Sequence, residues 1–80
     1  MATVHLSNQL REHAGGVETI EIDAPRVHEL IVALLDRFPA LAGAVEEMAV
    51  AIDGEIHQEA AYQPLAPASD VHFIPRMAGG

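Results

Sequence analysis

The sequence contains no cysteine in its 80 residues. It therefore has no disulfide framework, no thiolate zinc site and no thiol that could carry a persulfide. Half of the residues are hydrophobic and 20% are charged, which is typical of one small folded domain rather than a disordered chain.

Positive charge is also scarce. Twelve acidic residues stand against four basic ones, which gives a formal charge of -8, and every basic residue is an arginine: Arg11, Arg26, Arg37 and Arg76. Nucleic-acid binding depends on clustered lysine and arginine, so we expect no nucleic-acid partner. A basic surface on a partner protein suits this charge better.

Long apolar runs are missing as well. No run reaches the ~20 residues that a membrane-spanning helix needs, and the N-terminal residues lack the pattern of a signal peptide. We therefore expect no membrane partner and a cytoplasmic location.

Alternating polar and apolar residues predict two strands near the N-terminus. The strands cover residues 3–6 and 17–22, and a polar stretch with Gly15-Gly16 between them predicts a hairpin with a wide loop. Four side chains are expected to face the core: Val4, Leu6, Ile20 and Ile22.

The strongest pattern is a helical stripe at i, i+3, i+4, i+7, i+8 and i+11, made by Val27, Leu30, Ile31, Leu34, Leu35 and Phe38. It predicts a core-facing helix from about Pro25 to Arg37, with Asp23 or Ala24 as the N-cap. Pro39 prevents the helix from continuing.

The second half of the chain predicts more strands. After a loop around Gly43, residues 48–52 and 55–58 flank Asp53-Gly54, a dipeptide typical of a tight type I′ turn. Residues 60–69 are expected to be irregular, and residues 70–74 resume a strand with Val71 and Phe73 inward and His72 and Ile74 outward. The predicted fold is α+β of the β-grasp type, with a mixed sheet of four to five strands packed on one main helix. The domain covers residues 1–75, and residues 76–80 form a flexible C-terminal tail.

The tail ends in Gly79-Gly80. Five residues from Arg76 to Gly80 can reach at most roughly 17 Å when extended, far enough to enter a partner's catalytic cleft. Glycine has no Cβ, so the last two residues fit a narrow channel. A terminal carboxylate becomes open to attack by sulfur once ATP has adenylated it, a reaction for which the partner must supply the metal ion and the phosphate contacts.

At these residues the chain resembles the MoaD/ThiS family of ubiquitin-like sulfur carriers, most of all MoaD. The ending is similar to the Phe-[Ile/Phe]-Pro-Pro-Val-Ala-Gly-Gly of MoaD-type proteins, and residues 10–15, Leu-Arg-Glu-His-Ala-Gly, are similar to the family's first loop. Residues 37–41, Arg-Phe-Pro-Ala-Leu, and 51–55, Ala-Ile-Asp-Gly-Glu, extend the resemblance over the whole chain. Two segments depart from the pattern. In the ending, Arg76 replaces the second proline and Met77 replaces valine, and before the last strand Ala68-Ser69-Asp70 replaces Asp-Gly-Asp.

The resemblance implies that the protein is a carrier and not an enzyme. Its Gly80 carboxylate would be adenylated by an enzyme of the MoeB/ThiF type, which uses ATP and Mg, and converted to a thiocarboxylate that donates sulfur in cofactor biosynthesis, with molybdopterin as the first choice. Gly79, Ala78 and Met77 would thread into the partner. The residues expected to bind partners, including a possible MoaE-like large subunit, are His72, Phe73, Ile74, Pro75 and Arg76.

Several alternatives stay open. The sulfur could go instead to thiamine thiazole, to cysteine or to a secondary metabolite. The chain could also be a protein modifier joined through Gly80 to lysines of targets, or an interaction domain with an inert tail. No two of the histidines, at positions 5, 13, 28, 57 and 72, have metal-ligand spacing on the helix, so we expect no metal site, no bound cofactor and no catalysis by side chains.

Overall fold

The computed structural model describes residues 1–57 and 59–75, which form one mixed five-stranded sheet in the order β2-β1-β5-β3-β4. The elements are β1 (Ala2–His5), α1 (Asn8–Arg11), β2 (Thr19–Ile22), α2 (Val27–Arg37), a 3₁₀ helix (Pro39–Leu41), α3 (Ala42–Glu46), β3 (Met48–Ile52), β4 (Glu55–His57) and β5 (Asp70–Pro75). Among the described strands, β1 and β5 pair in parallel and all other neighbours pair antiparallel. The predicted β-grasp fold, with one main helix on a mixed sheet, is confirmed.

The last strand, β5, lies in the middle of the sheet. It pairs with β1 through Val4 and Val71, and with β3 through Val50 and Phe73. All four of these side chains are buried, as the predicted alternation requires. Ile20 and Ile22 on β2 are buried too, so the inward faces of both predicted N-terminal strands are confirmed.

Helix α2 packs its apolar stripe on this sheet, but it begins later than predicted. Val27, not Pro25, is its first residue, and Arg26 rather than Asp23 or Ala24 is the N-cap. Arg26 is held extended by a β-bridge to Pro64, and the backbone N–H groups of Val27 and His28 donate to carbonyls of the segment 61–63. These carbonyls satisfy helix donors that a side-chain cap would otherwise accept.

Two segments predicted as loops contain short helices. Helix α1 lies in the wide loop after β1. The 3₁₀ helix and α3, which contains Gly43, lie in the second predicted loop. Each short helix packs an apolar side chain into the core. These buried side chains are Leu10 of α1, Leu41 of the 3₁₀ helix and Val45 of α3. Segments of four or five residues contain too few apolar positions to display a helical period, so the pattern that revealed α2 could not reveal them.

The β3–β4 hairpin matches its prediction. Asp53 and Gly54 have φ of 49° and 87°, which places both in the left-handed region that a type I′ turn requires. The Asp53 carboxylate accepts a hydrogen bond from the Asp70 N–H at 2.8 Å, and the Asp53 N–H donates to the Asp70 carbonyl at 2.9 Å. The turn is thereby tied to the start of β5. Strand β4 is confirmed over residues 55–57, and Gln58 lies outside the described residues.

Candidate functional site

The predicted site belongs to the C-terminal end of the chain, and the structure describes it as far as Pro75. Gly80, with its proposed reactive carboxylate, lies outside the described residues, as do the threading residues Gly79, Ala78 and Met77 and the partner residue Arg76. The roles assigned to these five residues therefore stay predictions. Four predicted partner residues, His72 to Pro75, lie on β5 and can be placed.

Strand β5 divides these four residues between the two faces of the sheet. His72 and Pro75 are exposed and Ile74 is half-buried. Phe73 is only 3% exposed and belongs to the core, opposite Val50 of β3. The expectation that the Phe73 side chain is available to a partner is therefore wrong, because strand alternation gives it the inward direction of Val71.

The outer face of the sheet carries a row of side chains across four strands. In the register, His5 of β1 lies opposite His72 of β5, which lies opposite Ala51 of β3, which in turn lies opposite Ile56 of β4. The imidazole rings of His5 and His72 are stacked, with centroids 4.3 Å apart and an interplanar angle of 5°. We call this row, together with Ile74, the outer-face surface.

Asp70 joins the histidine pair. Its Oδ1 lies 2.9 Å from Nε2 of His5, and the two side chains are 58% and 35% exposed, so the contact adds little to stability. The sequence comparison of the five histidines looked only for metal-ligand spacing along the helix, and it missed this cluster. Strand alternation predicts that His5 and His72 both point outward. The register that makes them neighbours could not be predicted, because it joins strands more than sixty residues apart in the chain.

The outer-face surface offers contacts rather than chemistry. Within residues 1–57 and 59–75, no three His, Asp or Glu side chains are arranged to hold a metal ion. The histidine rings and Ile56, which is 59% exposed, present flat apolar area next to polar ring edges. Such a surface suits contact with a protein partner.

One carboxyl group has a clearly shifted pKa, at the start of α2 and not on the outer-face surface. The Arg26 guanidinium donates to Oε1 of Glu29 at 2.6 Å, and this hydrogen bond lowers the pKa of Glu29 against the opposing effect of partial burial. The pair lies beside the bridge between Arg26 and Pro64, so its role is at the helix start. Among the helices that the structure describes, none has the length and apolar character needed to cross a bilayer.

Comparison with known proteins gives one family match and several structures of the same fold. The model of the ThiS family matches residues 4–80. No curated protein matches the sequence. Among solved structures, the complex of BexX and CysO from Amycolatopsis orientalis contains a chain with a TM-score of 0.85 at 20% identity, with 100% of both chains covered.

Two further structures are similar. SAMP1 from Haloferax volcanii has a TM-score of 0.79 at 24% identity, with 99% of this chain and 98% of that chain covered. A protein from Pyrococcus furiosus described as a putative molybdopterin converting factor, subunit 1, has a TM-score of 0.75 at 20% identity, with 95% and 97% covered. At these identities the structural likeness establishes the shared fold.

Proposed function

We propose a function from one premise: the chain belongs to the ThiS family, because the family model matches residues 4–80. The protein is a ubiquitin-like sulfur carrier, and its working group is the C-terminal carboxylate of Gly80. The observation that carries the proposal is that the family match continues through the β-grasp body into Gly79-Gly80. The proposal requires that the natural polypeptide bears a free carboxylate on Gly80.

The proposed chemistry has two steps, both performed by a separate activating enzyme. A carboxylate oxygen of Gly80 attacks the α-phosphorus of ATP, pyrophosphate leaves, and an acyl adenylate forms. Hydrosulfide then attacks the acyl carbon, and the carbon–oxygen bond to AMP breaks to leave a thiocarboxylate. ATP and Mg belong to the enzyme, so the carrier itself needs no bound cofactor, and the reaction belongs in the cytoplasm.

The carrier's own contribution is docking and presentation. Strand β5 pairs with β1 over residues 70–72 and with β3 over residues 71–75, and the pairing with β3 fixes the position of Pro75, which precedes Arg76 and the proposed threading segment. An adenylyltransferase of the MoeB/ThiF type would contact His72, Ile74, Pro75 and Arg76, while Met77, Ala78 and Gly79 enter its cleft.

The proposed use of the sulfur is the synthesis of molybdopterin. The carrier would bind a MoaE-like large subunit and donate its sulfur there. The MoaD-like ending of the sequence supports this choice, and so does the likeness to the Pyrococcus furiosus protein described as a putative molybdopterin converting factor. The alternative recipients of the sulfur are thiamine thiazole, cysteine and a sulfur-containing secondary metabolite.

The carrier role is tested by mass spectrometry of the intact protein. Incubation with the adenylyltransferase from the same genome, ATP, Mg and sulfide should raise the mass by about 16 Da, the difference between sulfur and oxygen. A matched chain lacking Gly79-Gly80 should keep its mass. An unchanged full-length mass, when the enzyme activates another carrier in parallel, contradicts the proposal. The mass of the protein purified from its own cells establishes whether Gly80 is its last residue.

A second candidate function is protein modification, favoured by the likeness to SAMP1, which is described as a small archaeal modifier protein. Conjugation would join Gly80 to lysines of targets. Trypsin cleaves after Arg76 and after no later residue, so a modified lysine would carry Met-Ala-Gly-Gly rather than Gly-Gly alone. Detection of that remnant in tryptic digests supports modification. Its absence under all growth conditions, with the free protein abundant, counts against it.

A further inference from the structure

A groove with a volume of about 650 Å³ lies beside α2 on the inner side of the sheet. Its floor is apolar and is formed by α2, α3 and β3 through Val27, Ile31, Leu35, Val45, Met48 and Val50. The segment 59–62, which follows β4, forms the other wall. The volume falls within the range of about 300–1,000 Å³ that is typical of binding sites.

The wall formed by segment 59–62 is fixed by backbone hydrogen bonds. The carbonyl of Ala61 accepts from the N–H of His28 at 2.9 Å, and that of Gln63 accepts from the N–H of Val27 at 3.1 Å. The N–H of Leu65 donates to the carbonyl of Pro25 at 2.9 Å. The wall is therefore tied to the first turn of α2, and a ligand would not have to order it on binding.

The rim of the groove is acidic. Glu46 and Glu59 both line it and both are exposed. Neither takes part in an ion pair among the residues described, in which Arg11 and Arg26 instead contact Glu18 and Glu29. Tyr62 adds an aromatic ring that is 80% exposed, a residue type enriched where proteins bind each other.

The groove is separate from the outer-face surface but close to the end of β5. Met48 and Val50 point to the inner side, whereas His72 and Ile74 belong to the outer one, so two partners need not compete. Met48 lies opposite Pro75 in the register, and the groove thus adjoins the point from which residues 76–80 follow.

We propose that this groove is a docking site for a protein segment that presents a large apolar side chain flanked by arginine or lysine. The apolar floor would take the anchor, and the carboxylates of Glu46 and Glu59 would attract the flanking cations. Charge complementarity selects this occupant, because both rim carboxylates and the net charge of the chain are negative. The proposal does not depend on sulfur transfer.

Defined peptides test the proposal on the full chain labelled with ¹⁵N. An acetylated, amidated Arg-Leu-Phe-Leu-Arg peptide should shift the amide resonances of Ile31, Val50 and Tyr62 with saturation, and Glu-Leu-Phe-Leu-Glu should not. The double variant Glu46→Gln/Glu59→Gln should weaken binding about threefold to tenfold, and salt should do the same. The matched variant Glu12→Gln/Glu21→Gln, with the same change of net charge elsewhere on the surface, should bind as the parent does.

Four results overturn the proposal. They are the absence of shifts at millimolar basic peptide, equal binding of the acidic peptide, equal weakening by the two double variants, and shifts confined to the outer-face surface. The other possible occupants have their own signatures. Groove shifts on deletion of residues 76–80 would identify the chain's own end, and groove shifts that depend on protein concentration would identify a second copy.

Discussion

Each edge of the sheet is formed by a short strand, β2 or β4, but the two strands differ in how far their side chains are buried. At the β2 edge, Ile20 and Ile22 are buried in the core. At the β4 edge, Glu55 and Ile56 are exposed and His57 is half-buried. Five strands at about 4.8 Å spacing are roughly 19 Å wide, whereas a helix with its side chains is about 10 Å wide. One main helix is therefore too narrow to cover the whole inner side of the sheet. It covers the β2 edge and leaves the β4 edge beside an open groove.

Truncation of one isoleucine on each edge should show the largest contrast. Ile20→Ala leaves a cavity in the core and should lower the free energy of unfolding by about 2–4 kcal/mol. Ile56→Ala, from a side chain that is 59% exposed, should change it by no more than about 0.5 kcal/mol. Urea denaturation of both variants measures the difference, and similar losses would mean that the two edges contribute equally.

The turn that forms the β4 edge should be the next most sensitive feature. Gly54→Ala forces a side chain to adopt a φ of 87°, which should cost about 1–2 kcal/mol. Gly43→Ala is the matched control, since Gly43 lies in α3 and an added Cβ would meet no atom within 4 Å. That control should be neutral or stabilise by up to about 1 kcal/mol. Thermal or urea unfolding that ranks the two variants in the opposite order would contradict this account.

Hydrogen exchange should separate the edges in the unmodified protein. Strand β4 contains no buried side chain, whereas opening β2 would expose two, Ile20 and Ile22. The bonded amides of β4 should therefore exchange about tenfold faster or more than those of β2. Equal protection, measured by NMR in deuterated buffer, would show that the groove side is as firmly closed as the helix side.

The smallest effect concerns the helix start to which the groove wall is tied. In Arg26→Gln the pKa of Glu29 should rise toward its ordinary value, because the hydrogen bond from the guanidinium is lost. A lowered pKa stabilises the fold above the unfolded-state pKa, and this stabilisation disappears as the pH falls through the folded-state pKa. The parent should therefore lose its small advantage over the variant as the pH falls below the ordinary glutamate pKa of about 4.3 and through the lowered pKa of Glu29. NMR titration of the Glu29 carboxyl, with Arg37→Gln as the control, measures the shift.

Most of the body could be predicted from local patterns. The stripe from Val27 to Phe38 and the alternation of Val71 and Phe73 each repeat over enough residues to set a direction. Asp53-Gly54 is one of the few dipeptides that strongly favour a type I′ turn. Each of these signals arises from neighbours in the chain. The main helix, the inward faces of the strands and the turn that they predicted were confirmed, whereas the predicted start and N-cap of the helix were wrong.

The rest depends on contacts between distant segments. The stack of His5 on His72, the capping of α2 by carbonyls of residues 61–63 and the groove beside Met48 all require a register or a loop position that no local pattern contains. The error at Phe73 has another origin. The resemblance treated residues 72–76 as one contact segment, although alternation already predicted that Phe73 points inward.

The position of β5 has a consequence for folding during synthesis. The middle strand of the sheet comes last in the sequence, and its two neighbours, β1 and β3, cannot meet without it. During synthesis the first fifty residues can form a helix and a hairpin, but the sheet closes only after residue 75 has left the ribosomal tunnel. Assembly therefore waits for long-range pairing, and a chain released before this strand is made would have no stable sheet.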